Sequence, residues 1–211
     1  ISSTGVLQSR SAMVLNSAAG LTLGGSIVAN NTVALNAAGT VQTLAGSQLS
    51  ATRLNVTGTS FISRGNIALT GTSRNDWLVS DLVQTFGLTH AAGALKIDAN
   101  RLTTQAGSLL SSNNSITATM IPSASTGVIG SISHSGVMTG SAITLSGTTI
   151  SGGTASQITA TGALNATATA AVNLFGETSA ATMALNGASV ELRGRAFADL
   201  MTLTASGAIT T

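Results

Sequence analysis

The dipeptide Leu-Asn returns along this chain at intervals of about twenty residues, and that interval limits what the chain can fold into. It stands at Leu15-Asn16, Leu35-Asn36 and Leu54-Asn55, and again at Leu164-Asn165 and Leu185-Asn186. Self-similarity at such a period marks a solenoid, in which each repeat is one coil that cannot bury its apolar face alone. The runs around these leucines, such as Thr32-Val33-Ala34-Leu35-Asn36, alternate with the period of two that belongs to strands. Coils of strands and turns, stacked many times, make a parallel β-helix. The expected fold is all-β: a right-handed parallel β-helix of about 20 residues per coil and roughly ten coils, with residues 1–211 as one segment.

Composition agrees with a solenoid better than with a globule. Charged residues are 7% of the chain against a usual ~25%, and aromatic residues are 2%. A globule with so few charges would have a poorly protected surface. A solenoid covers itself with Ser, Thr, Asn and Gly, and its narrow interior needs only small aliphatic side chains. Eight basic and six acidic residues are scattered singly and leave a net charge of +2. No Lys/Arg cluster exists to neutralise a run of phosphates, and the aromatics are too few to stack bases, so nucleic acid is not an expected partner. There is no cysteine, which excludes disulfides and thiolate metal sites. No run of 18 apolar residues occurs, so the chain is not expected to span a membrane. It begins at Ile1 with no charged-then-apolar leader and shows no capping segment at either end, and it reads as an interior piece of something longer.

The repeats are clearest over residues 11–70. Met13-Val14-Leu15-Asn16-Ser17-Ala18-Ala19-Gly20 matches Val33-Ala34-Leu35-Asn36-Ala37-Ala38-Gly39, and the half-turns Gly25-Ser26-Ile27, Gly46-Ser47-Gln48-Leu49 and Gly65-Asn66-Ile67 match one another. Residues 73–92 break the pattern and occupy about one irregular coil, since Leu95 lies two periods beyond Leu54. Gln105-Ala106-Gly107-Ser108-Leu109-Leu110 then echoes Leu44-Ala45-Gly46-Ser47-Gln48-Leu49. About ten extra residues fall within 120–140, around the only proline, Pro122. Proline is disfavoured inside a ladder, so a looped-out excursion is expected there.

Strings such as Ala34-Leu35-Asn36-Ala37-Ala38-Gly39 and Leu44-Ala45-Gly46-Ser47-Gln48-Leu49 resemble the haemagglutinin repeats of filamentous haemagglutinin-like proteins. These are exported partners of two-partner secretion systems in Gram-negative bacteria, and they include large adhesins and contact-dependent inhibition effectors. The resemblance covers about three quarters of the chain and is weak at 73–92 and 120–140. It implies a secreted or surface-bound β-helix forming the shaft of a filament, with an outer-membrane transporter as its export partner and a distal adhesive or toxic module to present. It carries over no catalytic residue. The secretion domain of the family, with its Asn-Pro-Asn motifs, has no counterpart here.

Side chains that could carry chemistry are few. β-Helix polysaccharide lyases and hydrolases gather two or three carboxylates on one face. The nearest approach to that is Asp76 and Asp81, close in sequence to Arg74 and His90. Substrate-binding aromatics are almost absent, and these acids read as solvated turn residues, so no catalytic residue is assigned and the segment is expected not to be an enzyme. His90 and His134 stand alone, without a second ligand at metal spacing, and no cofactor or metal is expected. Trp77, Asp76, Asp81, Phe86 and His90 form the densest group of unusual side chains. They are candidates for a patch that recognises a receptor or glycan on a target cell. The competing assignment for Trp77, Phe86 and Leu88 is to fill the core or anchor a turn.

Overall fold

The computed structural model describes residues 2–122 and 130–211. Every regular element in it is a strand, and every strand pairing is parallel between neighbouring coils. Each coil contributes three strands, one to each of three faces, and about ten turns stack into a β-solenoid. Met13–Ser17 and Thr32–Ala37 open face one, Leu21–Leu23 and Thr40–Thr43 face two, and Ser26–Ala29 and Gln48–Ala51 face three. Face three is a separate ten-stranded sheet. Faces one and two form a single 17-stranded sheet, because Arg53–Ser63, Asn75–Thr85, Ala142–Gly152 and Ala163–Leu174 each run around the corner between them.

Alternation along each strand decides what lies inside. In Thr32–Ala37 the buried positions are Val33 and Leu35; in Leu95–Ala99 they are Leu95, Ile97 and Ala99. Two aliphatic columns therefore run up the inside of face one. Met13, Val33 and Leu54 begin one, and Leu15, Leu35 and Val56 begin the other. Leu15 and Leu35 share a column as the dipeptide repeat implies, but Leu54 does not join them. It stacks on Val33, two residues earlier in the strand. A slip of two keeps every side chain on its own side of the sheet, so a leucine fits either column. The same slip separates Leu164, which pairs with Ile143 and Met183, from Leu185, which pairs with Ala166 and Leu203.

Outside, the asparagines behave according to this register. Asn36 Nδ2 donates to Asn16 Oδ1 at 2.9 Å, coil to coil. The ladder then continues through Thr57, whose hydroxyl donates to Asn36 Oδ1 at 2.9 Å. Asn55, from the third Leu-Asn dipeptide, lies in the neighbouring column beside Ala34, so the third rung is a threonine.

The turns into face three explain the sequence echo. In Leu44–Ser47 and again in Gln105–Ser108, the serine N–H and hydroxyl both bond the carbonyl three residues back. Gly46 and Gly107 supply the positive φ that these turns require, 78° and 80°. At Gly65 and Gly87, which precede face three without such a turn, close coil approach is the reason. A Cβ on Gly87 would lie 2.0 Å from the Gly65 carbonyl oxygen. Gly87→Ala is therefore expected to destabilise the chain by about 1–3 kcal/mol, as overpacking does. Unchanged urea unfolding of this variant would mean that the coils are not stacked so closely.

Residues 75–91 keep the three-strand plan, with Asn75–Thr85 and Leu88–Ala91 pairing to coils on both sides. Asn75 sits at an inward position with 0% exposure. Its Oδ1 takes the Leu54 N–H at 2.9 Å, and its Nδ2 donates to the Ala94 carbonyl at 3.2 Å, so the side chain ties three coils together where a leucine would only pack. The extra residues of the 120–140 stretch fall between Met120, which pairs with Ala99, and Ser131, which pairs with Arg101. Ser131–His134 and Val137–Gly140 are themselves ladder strands on faces two and three. Residues 123–129, where the expected excursion falls, lie outside the described residues.

Candidate functional site

The five residues singled out by sequence occupy one coil but not one surface. Trp77 points inward from face one and is fully buried, with its ring 4.8 Å from that of Phe61 in an edge-to-face contact at 79°. It cannot touch a partner on the outside, and its membership of a recognition patch is corrected accordingly. The physical reason is alternation: Asn75, Trp77 and Val79 share the inward side, while Asp76 and Leu78 face out.

Asp76, outward on face one, accepts from two arginines. Arg53 Nη2 lies 2.6 Å from its Oδ2, and Arg74 Nε lies 2.7 Å from its Oδ1. Asp81, at the corner between faces one and two, is held bidentately by Arg101 Nη2 at 3.0 Å to each oxygen. Phe86 lies in the turn between faces two and three with the Arg64 guanidinium 5.0 Å from its ring centroid, and it is 39% exposed. His90 faces outward on face three. Ser111 Oγ donates to the Thr89 carbonyl, so it accepts from His90 Nδ1 at 3.0 Å. The four outward side chains are thus strung around the coil from face one to face three, each with its own partner from a neighbouring coil.

Two further ion pairs lie within single coils. Lys96 pairs with Asp98 at 2.6 Å, and Arg193 pairs with Glu191. These are mostly exposed pairs, each contributing about 0–1 kcal/mol. Among the described residues no three His, Cys, Asp or Glu side chains come together as a metal would need. No helix among the described residues is long and apolar enough to cross a membrane.

Two features were not assigned a place in the fold from the sequence. One is a groove of about 410 Å³ lined by Leu78, Val79, Ser80, Asp98, Ala99 and Ile121–Pro122. It arises because the corner between faces one and two is crossed by Asn100 alone in one coil, while Ser80–Asp81 widen the same corner in the coil before. Asn100 Nδ2 donates to the Ile121 carbonyl at 2.7 Å and holds the recess open on that side. The other is His134, which is 1% exposed. Its inward position was readable from Ile132, two residues before it on the same side of the strand.

Comparison with known proteins found no matching family model, no matching curated protein and no matching solved structure.

Proposed function

We propose that this chain is a length of structural shaft in a secreted bacterial surface filament. In this reading it resembles filamentous haemagglutinin-like proteins, leaves a Gram-negative cell through an outer-membrane transporter, and holds a distal adhesive or toxic module away from the surface. The observation that carries the proposal is the parallel pairing of three strands per turn through about ten turns. Such a stack lengthens by adding coils without changing its cross-section, which is the mechanical requirement of a shaft. The outward charges support it too, because most are spent on pairs between or within coils and leave no concentrated field to attract a substrate or receptor. Asp76 and Asp81 serve as partners for arginine in this reading and not as an acid and a base.

The test is cell binding by the isolated chain, labelled and titrated onto candidate target cells. A shaft shows no saturable binding, and Asp76→Asn with Asp81→Asn changes nothing. Saturable binding that disappears in a folded Phe86→Ala or His90→Ala variant would replace the shaft with a receptor- or glycan-binding module.

A further inference from the structure

Face two carries a polar column inside the solenoid. Its last inward position holds Thr43, Ser63, Thr85, Thr104 and His134 in successive coils, followed by Gly152. The first five are all buried. Thr43 shows what a hydroxyl does at this place: its Oγ1 accepts the N–H groups of Arg64 and Gly65, at 3.1 and 3.2 Å, and so fixes the turn of the next coil. Thr104 does the same for Ser135 N–H at 3.2 Å.

His134 adds a second duty to Thr104. Its Nδ1 is hydrogen-bonded to Thr104 Oγ1, and its Nε2 lies 2.9 Å from the Gln157 carbonyl oxygen. A carbonyl only accepts, so Nε2 carries the proton. In the neutral ring Nδ1 is then the acceptor for the Thr104 hydroxyl. The neutral imidazole has both nitrogens satisfied and links three successive coils through Thr104, itself and Gln157. Gly152, with no side chain, is its neighbour in the next coil.

Protonation undoes this arrangement. Nδ1 becomes a donor facing a hydroxyl that was donating to it, and a charge enters an interior that holds no counter-ion. The inward residues on the strands around the ring include Leu102, Leu110, Met138, Ile150 and Ile158 besides Thr104, and no inward residue there is ionisable. Arg101, on the first of these strands, turns outward to Asp81, and Glu177, beside Gln157 in the ladder, lies on the exposed side. Burial accordingly pulls the imidazole below its ordinary value of 6.5, and the Gln157 hydrogen bond offsets only part of that.

We propose that His134 is an acid-sensitive latch: neutral, it holds the coils of residues 101–160 together, and on protonation it releases the turn at Ser135 and the strands beside it. The sign follows from linkage. The unfolded chain takes up the proton more readily than the folded one, so the latch is fully effective above about pH 6.5 and weakens as the pH falls from there to the folded-state value.

The test is amide hydrogen exchange on the whole chain between about pH 7.5 and 5, corrected for intrinsic exchange, together with a proton NMR titration of the imidazole rings. Protection at Ser135, Val137, Gly153 and Gln157 should fall by up to about tenfold per pH unit within that window, while Met13–Ser17 and Thr32–Ala37 hold. His134→Gln should abolish the pH dependence at those four amides. An equal slope in His134→Gln, or a loss spread evenly over all coils, overturns the proposal. Should that variant fail to fold, the wild-type titration decides alone: a His134 ring that titrates at or above 6.5 is no latch.

Discussion

Replacing Trp77 by alanine is expected to cost about 3–5 kcal/mol, the largest loss from any single truncation in this chain. The side chain is fully buried at the centre of face one, against Phe61 from face two, in an interior built mostly of smaller side chains. No neighbour is large enough to close the space an alanine would leave, because Val56 and Ile97 stand directly below and above it in the column. Trp77→Phe should cost much less. It keeps a ring against Phe61 and removes an indole N–H that has no hydrogen-bond partner among the described residues. Phe86→Ala, at the exposed corner, should stay within about 1 kcal/mol of the wild type. Guanidinium unfolding followed by far-UV circular dichroism ranks the three. A Trp77→Ala midpoint equal to that of Phe86→Ala would place Trp77 on the surface after all.

Leu35→Ala comes next, with an expected loss of about 2–5 kcal/mol, since Leu35 is fully buried between Leu15 and Val56. Asn36→Ala, one residue on and on the opposite side of the sheet, should cost about 1 kcal/mol. It removes the hydrogen bonds to Asn16 and Thr57, whose other groups remain open to water. The same denaturation experiment measures both. Equal losses at the two positions would mean that inside and outside have been exchanged.

Much of this could be read from the residues. Period and alternation made a stacked β-solenoid the expected fold, and the Leu15–Leu35 and Asn16–Asn36 pairings follow from the spacing alone. Leu54 did not follow, because a strand with period two accepts a leucine at either of two inward positions, and small differences in corner length select between them. Coils of 20 and 21 residues occur side by side, as the Asn16–Asn36 and Asn36–Thr57 contacts show. Trp77 was left open for a related reason, since the sequence offered it both to a patch and to the core. A rare aromatic among charges looks like a surface feature, and the count from Leu54 to Leu95, 41 residues for two coils, leaves the inward position between them at 74 or 75. Arg74, two residues before Asp76, was visible as a neighbour in the sequence, whereas Arg53 and Arg101 were not, since they reach Asp76 and Asp81 only from the neighbouring coils.

Spin-label distances along one outward column test the stacked architecture most directly, and the absence of cysteine makes paired labelling simple. Asn36, Thr119, Thr167 and Thr204 lie in one outward column of face one, connected rung by rung through Thr57, Leu78, Asp98, Ser146 and Asn186. With coils about 4.8 Å apart, the backbone separations from Asn36 should be about 19 Å to Thr119, about 29 Å to Thr167 and about 38 Å to Thr204. A β-solenoid requires this linear rise. Distances that level off or fall between Thr119 and Thr204 would contradict it.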